Sequence, residues 1–226
     1  DRLRSRGLGD VYKRQHLIEG ENEITIEAAN GWYIGDDDDG KRYFYTIDKG
    51  YEPFGTCLLV IAQLKIADNY IVTDDSWEVC RSKTVLADIY GSEDMDYTIS
   101  YEWKPAQMLQ KKAPKGEIIP FTYPPMIHKY CYEPQQVDHT RMIFDFGQNM
   151  SSQFFIKIRG ERGQRVRVIP AEKLKANGDI EQTVDTYSIL TLSGGEDVFE
   201  QKFSVNGARW YKIEGATFEQ LSLIHI

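Results

Sequence analysis

The sequence predicts an all-β protein made of two antiparallel, jelly-roll-like β-sandwich domains in tandem. Polar and apolar residues alternate in many short stretches, as they do in strands that turn one face to a core. Clusters of turn-forming residues separate these stretches, and no sustained helical period runs along the chain. With 226 residues, the chain is long enough for one large or two small domains.

The first block, residues 16–104, is predicted to be the N-terminal sandwich. Polar and apolar side chains alternate over residues 22–28, which predicts a strand. An apolar strand at residues 58–66 and a returning strand at 70–73 enclose an Asx-containing turn, which is the pattern of a β-hairpin. Further strands are predicted at residues 77–80, 84–89 and 96–103.

A proline-rich linker, residues 105–136, follows the first block. Six of the eight prolines of the chain lie in it, namely Pro105, Pro114, Pro120, Pro124, Pro125 and Pro134. Because proline lacks a backbone donor and favours extended geometry, this stretch is not predicted to form a central strand. It is interpreted as a structured crossing between two β domains.

The second block, residues 137–220, is predicted to contain two hairpins with apolar residues at alternate positions. The first joins residues 154–158 to 166–168 through the turn at 160–163, and the second joins 187–191 to the strand around Val198 through the turn at 193–196. Many short strands with turns at this spacing indicate a sandwich or a jelly roll.

Both ends of the chain look foreign to the protein. Residues 1–15 and 221–226 resemble translated sequencing adapters of the kind found in metagenomic genes, and neither has the composition of a targeting segment. Terminal segments without packing partners are expected to be disordered, and both tails are left out of the predicted fold. The alternative for the N-terminal tail is a genuine basic arm for nucleic acid.

The charge of the chain argues against a nucleic-acid partner. The first fifteen residues hold five of the 27 basic and two of the 35 acidic residues, and the last six hold none, so 22 basic residues remain against 33 acidic ones. Nucleic-acid binders need a concentrated basic face, whereas this balance suits neutral ligands such as sugars. Membrane spanning is not expected either, because the sequence has no apolar run of about 18 residues.

Cysteine usage indicates neither a disulfide framework nor a zinc site. The three cysteines, Cys57, Cys80 and Cys131, are odd in number and widely spaced. This usage favours a reducing, cytoplasmic compartment slightly over secretion.

Four short motifs follow one another in the second block. They are residues 143–149 (IFDFGQN), 171–174 (AEKL), 177–180 (NGDI) and 206–211 (NGARWY). Their order resembles the β-sandwich module that precedes the catalytic domain in bacterial α-L-rhamnosidases, glycoside hydrolase family 78. Motifs of the first block are similar to the N-terminal sandwich of the same family: residues 20–24 (GENEI), 30–35 (NGWYIG), 73–77 (TDDSW) and 88–93 (DIYGSE).

The resemblance implies a parent enzyme that hydrolyses terminal α-L-rhamnose from glycans and glycosides. Such an enzyme works with inversion, through one carboxylic acid and one carboxylate. The family places both groups in a later helical barrel, so no catalytic residue is expected in this chain. The implied partners are rhamnoside carbohydrates and the catalytic domain of the same protein. The alternatives are a stand-alone carbohydrate-binding or adhesion module, and a structural sandwich of another glycosidase family.

Two departures from the family pattern limit this comparison. Residues 206–210 read NGARW where the family usually has His-Gly-Phe-Arg-Tyr, and residues 182–184 read QTV where it usually has Asn-Leu-Arg. Arg209 is kept and is expected to be structural, pairing with a carboxylate near a domain boundary. Glu172 is expected to be a structural residue at a strand end rather than a catalytic acid.

Asn30, Trp32 and Tyr33 are the candidate sugar-binding residues. Sugar sites combine an aromatic platform with amide or carboxylate groups, and these residues offer that combination. The competing interpretation is that Asn30 and Gly31 make a turn and that Trp32 is a buried anchor of the sandwich.

Asp36, Asp37, Asp38 and Asp39 form a weak candidate calcium loop. Adjacent carboxylates are oxygen-rich, as calcium ligands are, but they lack the alternate spacing of an EF-hand. The competing interpretation is a solvated acidic loop. Apart from calcium, the sequence predicts no cofactor.

Overall fold

The computed structural model describes residues 18–31, 33–34, 55, 57–66, 68–88, 90–109, 130–182, 184–215 and 218–225, the last range by its backbone. These residues form β-strands joined by turns and loops, and no helix occurs among them. The all-β prediction is confirmed. Where the structure describes the chain, no helical segment reaches the length and apolarity that a bilayer crossing requires.

The strands follow one another along the chain with the following bounds. They are β1 (Gln63–Ile66), β2 (Asn69–Val72), β3 (Glu78–Val79), β4 (Thr84–Asp88), β5 (Ser92–Asp96), β6 (Lys104–Pro105), β7 (Tyr130–Tyr132), β8 (Gln136–Asp138), β9 (Ile143–Arg159), β10 (Arg165–Ala171), β11 (Lys173–Leu174), β12 (Ile180–Glu181), β13 (Ser188–Thr191), β14 (Glu196–Glu200), β15 (Asn206–Glu214) and β16 (Phe218–His225).

One sheet of ten strands dominates the described structure. Its order is β4-β5-β13-β10-β15-β9-β16-β7, and β8 and β14 also pair with β9. The long strand β9 serves two layers: its first part pairs with β15 and β8, and its second part pairs with β14 and β16. A strand that passes from one layer to the next joins two sheets around a common core.

The core lies between these two layers. The ring of Phe154, from the second part of β9, lies 5.0 Å from the Phe199 ring and 5.7 Å from the Tyr211 ring of β15, centroid to centroid. Phe146 meets Tyr211 edge-on at 5.8 Å. Burying a large apolar side chain of this kind stabilises the fold by about 1.5–3 kcal/mol. The other buried members are Met95, Phe144, Met150, Ile156, Ile158, Val166, Val168, Leu190, Leu192, Ala208 and Ile213.

A smaller apolar cluster covers the outer face of the first layer. Ile180 of β12 and Leu174 of β11 pack there as a two-stranded hairpin. They contact side chains that point away from the main core, namely Ile143, Ile169, Ala171, Tyr187, Ile189 and Trp210. This hairpin positions the turn at residues 177–179 beside the clefts described below.

Both hairpins predicted for the second block are wrong. Strands β9 and β10 do not pair with each other, and neither do β13 and β14. Instead β10 lies between β13 and β15, whereas β14 pairs with β9. The turns at 160–163 and 193–196 therefore carry the chain from one layer to the other. The alternation that predicted these strands contains no information about their hydrogen-bonding partners.

The first block differs from its prediction in two places. Residues 22–28 form no strand, and residues 97–103 lie beyond β5, which occupies Ser92–Asp96. The hairpin of β1 and β2 is confirmed, with Leu64 opposite Ile71. The β4–β5 hairpin joins the sheet of the second block, because β5 pairs in parallel with β13, with Met95 opposite Leu190.

The C-terminal residues interpreted as foreign form part of the sheet. The backbone of β16 pairs with β9 and β7, with Ser222 opposite Phe155 and Ile224 opposite Cys131. Leaving residues 221–225 out of the predicted fold was therefore wrong. Because strand pairing uses backbone groups that every sequence has, it does not test where this stretch of sequence comes from.

Candidate functional site

The motifs of the second block meet at a bulge in β9. Asp145 lies opposite Trp210 and Met150 lies opposite Ala208, so residues 146–149 of β9 face the single residue Arg209 of β15. Gly147, at φ +86°, takes a backbone conformation that favours glycine. Such bulges bend a strand and redirect its side chains. Here the IFDFGQN motif is brought against the NGARWY motif.

Asp145 and Arg209 form a bidentate ion pair at this bulge. Arg209 donates from Nε to Oδ1 over 2.7 Å and from Nη2 to Oδ2 over 2.8 Å. The Gly147 N–H adds a third bond to Asp145 Oδ1 at 2.7 Å. The Arg209 hydrogen bonds lower the pKa of Asp145 despite its burial, and the same bonds raise the pKa of Arg209. The expectation that Arg209 pairs with a carboxylate is confirmed.

The AEKL motif reaches the same bulge through Glu172. Asn149 donates from Nδ2 to Glu172 Oε1 over 3.1 Å, and both side chains are exposed. A Cβ atom at Gly207 would lie 3.4 Å from the same oxygen, so the absence of a side chain there leaves room for the carboxylate. Glu172 thus ties the bulge to the end of β10, in agreement with a structural role.

An open cleft of about 300 Å³ lies beside the ion pair. Its polar side chains are Asp138, Arg141 and Asp145, and Trp210 supplies an aromatic ring. Arg209 Cζ lies 4.7 Å from the centroid of the Trp210 ring, so the guanidinium group covers part of that ring. The remaining lining residues are Val137, Ile143, Leu174 and Gly178. Arg209 bonds both oxygens of Asp145, and Arg141 Nε lies 3.6 Å from Asp138 Oδ2, so the charged groups of this cleft are paired.

A second open cleft, of about 350 Å³, is lined mostly by charged side chains. Lys212 Nζ lies 3.1 Å from Asp179 Oδ1 and 3.4 Å from Glu214 Oε1. The Lys212 hydrogen bond lowers the pKa of Asp179. Because its charges are already paired with one another, this cleft has less capacity for a ligand than its size suggests.

The sequence-predicted sugar residues lie in a different part of the molecule. The N–H groups of Tyr33 and Ile34 donate to the Asn30 carbonyl at 3.2 and 3.3 Å, and Gly31 has φ +51°. Asn30 and Gly31 thus form a turn, as in the competing interpretation, while Tyr33 remains 43% exposed. Trp32 and the acidic run Asp36–Asp39 lie outside the described residues. Sugar binding at this turn stays a prediction.

Within the described ranges, no group of three or more His, Cys, Asp or Glu side chains is placed to hold a metal ion. The three cysteines are unpaired, and Cys57 and Cys131 are exposed. The calcium prediction concerns residues 36–39 and is not tested by this observation.

The cleft at Trp210 was not predicted from the sequence. One signal could have revealed it: Asp145 lies in a strand between Phe144 and Phe146, both of which are buried. A charged residue in a buried strand needs a partner, and the sequence predicts that Arg209 pairs with a carboxylate.

Comparisons with known proteins agree with this architecture. The family model described as "Alpha-L-rhamnosidase N-terminal domain" matches residues 10–129. The model described as "Bacterial alpha-L-rhamnosidase concanavalin-like domain" matches residues 135–225.

Individual relatives carry the same name. An α-L-rhamnosidase of Formosa agariphila is 27% identical over 233 residues, covering 90% of this chain and 24% of that protein. An α-L-rhamnosidase of Streptomyces avermitilis is 25% identical over 220 residues, covering 87% of this chain and 20% of the relative. The chain thus spans about a quarter or less of these curated relatives.

Solved structures show the same fold. The α-L-rhamnosidase of Dictyoglumus thermophilum superposes with a TM-score of 0.60 at 23% identity, over 70% of this chain and 20% of that one. The Streptomyces avermitilis α-L-rhamnosidase complexed with L-rhamnose superposes with a TM-score of 0.61 at 20% identity, over 73% and 18% of the two chains.

Fold and site together define an all-β module of the sandwich type with an open cleft of charged and apolar side chains on its outer face. Because the N-terminal model alone matches more than half of the 226 residues, the chain belongs to the bacterial α-L-rhamnosidase family.

Proposed function

We propose that this chain is the non-catalytic β-sandwich part of an α-L-rhamnosidase that hydrolyses terminal α-L-rhamnose from glycans and glycosides. One observation carries the proposal: the two family domains follow one another across residues 10–225, whereas the relatives are several times longer. The catalytic barrel and its two carboxylates belong, on this proposal, to another part of the protein.

The state of the carboxylates at the bulge supports a structural role. A general acid needs a raised pKa, but Arg209 lowers the pKa of Asp145 and occupies both of its oxygens. Glu172 accepts a hydrogen bond from Asn149. Both groups therefore serve to hold the bulge and the neighbouring strands in place.

The test is a hydrolysis assay of the purified chain with an aryl α-L-rhamnoside. We expect no turnover above the buffer rate. Turnover that disappears in both Glu172→Gln and Asp145→Asn, but survives in the exposed control Glu102→Gln, would overturn the proposal.

The gene beyond the codon for Gln220 provides an independent test. A long helical region with an acidic, tryptophan-rich cleft supports the rhamnosidase proposal. A stop codon or further β repeats would instead favour the alternative, a stand-alone carbohydrate-binding module.

Carbohydrate binding by the first block is the second candidate function. It is favoured by the exposed Tyr33 ring in the turn that begins at Asn30. Titration calorimetry with L-rhamnose, with and without calcium, tests it. Heat that vanishes in Trp32→Ala supports a sugar site, and heat that requires calcium and Asp36–Asp39 supports the calcium loop. A flat trace at millimolar sugar leaves the first block a scaffold.

A further inference from the structure

A buried carboxylate of the first block is held by a loop of the second block. Glu93 of β5 is 1% exposed. Its Oε2 accepts hydrogen bonds from the backbone N–H groups of Lys202, Phe203 and Ser204 at 2.9, 2.9 and 3.0 Å. The Ser204 hydroxyl donates to the same oxygen over 3.0 Å, and the Lys202 N–H also lies 3.0 Å from Oε1. Three successive N–H groups that converge on one oxygen form a backbone nest, a geometry that binds anions.

Gln201, the residue before this loop, connects the nest to both blocks. Its Nε2 donates to Ser204 Oγ over 2.6 Å and to Ser92 Oγ of the first block over 3.2 Å. Its Oε1 accepts from Asn206 Nδ2 over 3.1 Å. The Ser92 hydroxyl also lies 2.9 Å from that of Ser188 in β13. The hydrogen bonds of these buried amide and hydroxyl groups fix the orientation of the loop.

Lys202 makes a second contact with the first block through its side chain. Its Nζ lies 2.8 Å from Glu27 Oε2, while Glu27 Oε1 accepts from the hydroxyls of Ser82 and Thr84 at 2.6 and 2.8 Å. Burial alone would raise the pKa of Glu27, but these hydrogen bonds outweigh it and lower the pKa. The same loop residue thus contacts one carboxylate through its backbone and another through its ammonium group.

An unsatisfied buried carboxylate is unfavourable, and burial raises the pKa of Glu93 although the hydrogen bonds of the loop act to lower it. Glu93 lies beside the parallel β5–β13 pairing, so its hydrogen bonds and the strand register support one another. A shift of β5 by one residue would turn the carboxylate away from the nest. The nest therefore selects one position of the first block on the second.

We propose that residues 201–204 are a carboxylate-binding surface of the second block, and that Glu93 docks the β4–β5 hairpin onto it. The docked hairpin and the second block then unfold as one cooperative unit. The ligand class of this surface is a carboxylate anion, supplied by the chain itself.

The test uses the full chain with Glu93→Ala, which leaves the nest empty. Hydrogen exchange followed by mass spectrometry reports the opening of residues 84–96 and of residues 154–158 in the same sample. We expect exchange of residues 84–96 to become at least about tenfold faster, because the hydrogen bonds to the Glu93 carboxyl group are lost. Residues 154–158 should change less, since their core contacts remain.

Added formate is the sharper measurement. Formate presents the same two oxygens and is small enough to enter the space left by the Glu93 side chain. It should slow the exchange of residues 84–96 in Glu93→Ala, whereas chloride at the same ionic strength should not. The wild type and the exposed control Glu102→Ala should respond to neither salt.

Unchanged exchange in Glu93→Ala, or an equal response to formate and chloride, would overturn the proposal. Glu93→Ala could fail to fold in chloride. In that case, recovery of folded protein in formate supports the proposal. Failure in both salts, together with wild-type exchange in Glu93→Gln, contradicts the proposal. In Glu93→Gln an NH2 group, which is a donor, replaces one acceptor oxygen. Faster exchange of residues 84–96 is therefore expected in this variant too.

Discussion

Both blocks contain stretches of alternating polar and apolar residues, but they differ in how many of their apolar residues are buried. Of the buried apolar residues in the described structure, only Leu86, Ala87 and Met95 belong to the first block, and all three lie in the hairpin that joins the sheet of the second block. In contrast, the β1–β2 hairpin exposes Tyr70 and Val72. The comparison teaches that alternation creates an apolar face, whereas a core requires a second layer to cover that face.

The largest expected effect comes from the centre of the second block. Phe154→Ala removes a ring that contacts both Phe199 and Tyr211, so we expect a loss of about 3–5 kcal/mol in the free energy of unfolding. The matched variant in the first block is Ile71→Ala, at a position 40% exposed, with an expected loss below about 1 kcal/mol. Urea unfolding measures both. Equal losses would remove the distinction between the two blocks.

The ion pair at the bulge should have the next largest effect. Arg209→Met leaves Asp145 almost buried without its partner, and we expect a loss of about 2 kcal/mol. The value lies below the range for fully buried pairs because the Arg209 side chain is 39% exposed. A double-mutant cycle with Asp145→Asn measures the coupling, and a coupling near zero would contradict the bidentate geometry.

The same pair predicts a pH dependence. The folded-state pKa of Asp145 is lowered, so its contribution is present above the unfolded pKa of about 3.9 and is lost as the pH falls through the folded pKa. Stability of the wild type should therefore decline toward acid more steeply than that of Arg209→Met. Urea midpoints between neutral and acidic pH provide the comparison, and parallel curves would contradict it.

The bulge itself can be tested at Gly147. Alanine at φ +86° is strained, so Gly147→Ala should cost about 1–2 kcal/mol. Gly195→Ala is the control, because its new Cβ would meet only Ser193 Oγ at 3.7 Å and its φ lies outside the left-handed region. Thermal unfolding of the two variants should differ, and similar midpoints would show that the bulge relaxes easily.

The smallest effect is expected at the exposed part of the contact between blocks. Lys202→Met removes the ion pair with Glu27 but keeps the backbone N–H that binds Glu93. Because both side chains are about a third exposed, the loss should be about 0.5–1 kcal/mol and should shrink with added salt. A loss as large as that of Glu93→Ala would mean that the ammonium group, rather than the nest, holds the first block.

Residue patterns predicted the strands of the second block better than their connections. Phe154, Ile156 and Ile158 occupy alternate positions and are buried. The same is true of Val166 and Val168. Yet the two stretches lie in different layers instead of forming a hairpin. The short turn between them suited a hairpin equally well, because a turn of four residues can join neighbours in one sheet or facing strands of two.

The sequence predicted a role for some residues of the site, but it did not predict which residues contact one another. Arg209 was expected to find a carboxylate, but its partner is 64 residues away in sequence, on the other side of a bulge. Glu93 and Gln201 gave no pattern at all, since an isolated glutamate in a polar stretch usually marks an exposed position. Their burial follows from the docking of β5 on β13.

By itself, the sequence determined the all-β class, the approximate positions of most strands of the second block and the face that each of them buries. Those properties follow from a local period of two residues and from turn-forming residues. Only the tertiary structure decided which strands pair, that β9 serves two layers, and that a carboxylate of the first block enters a loop of the second. Backbone hydrogen bonds are the same for every residue, so the choice among partners depends on closing one common core and on satisfying the polar groups buried with it.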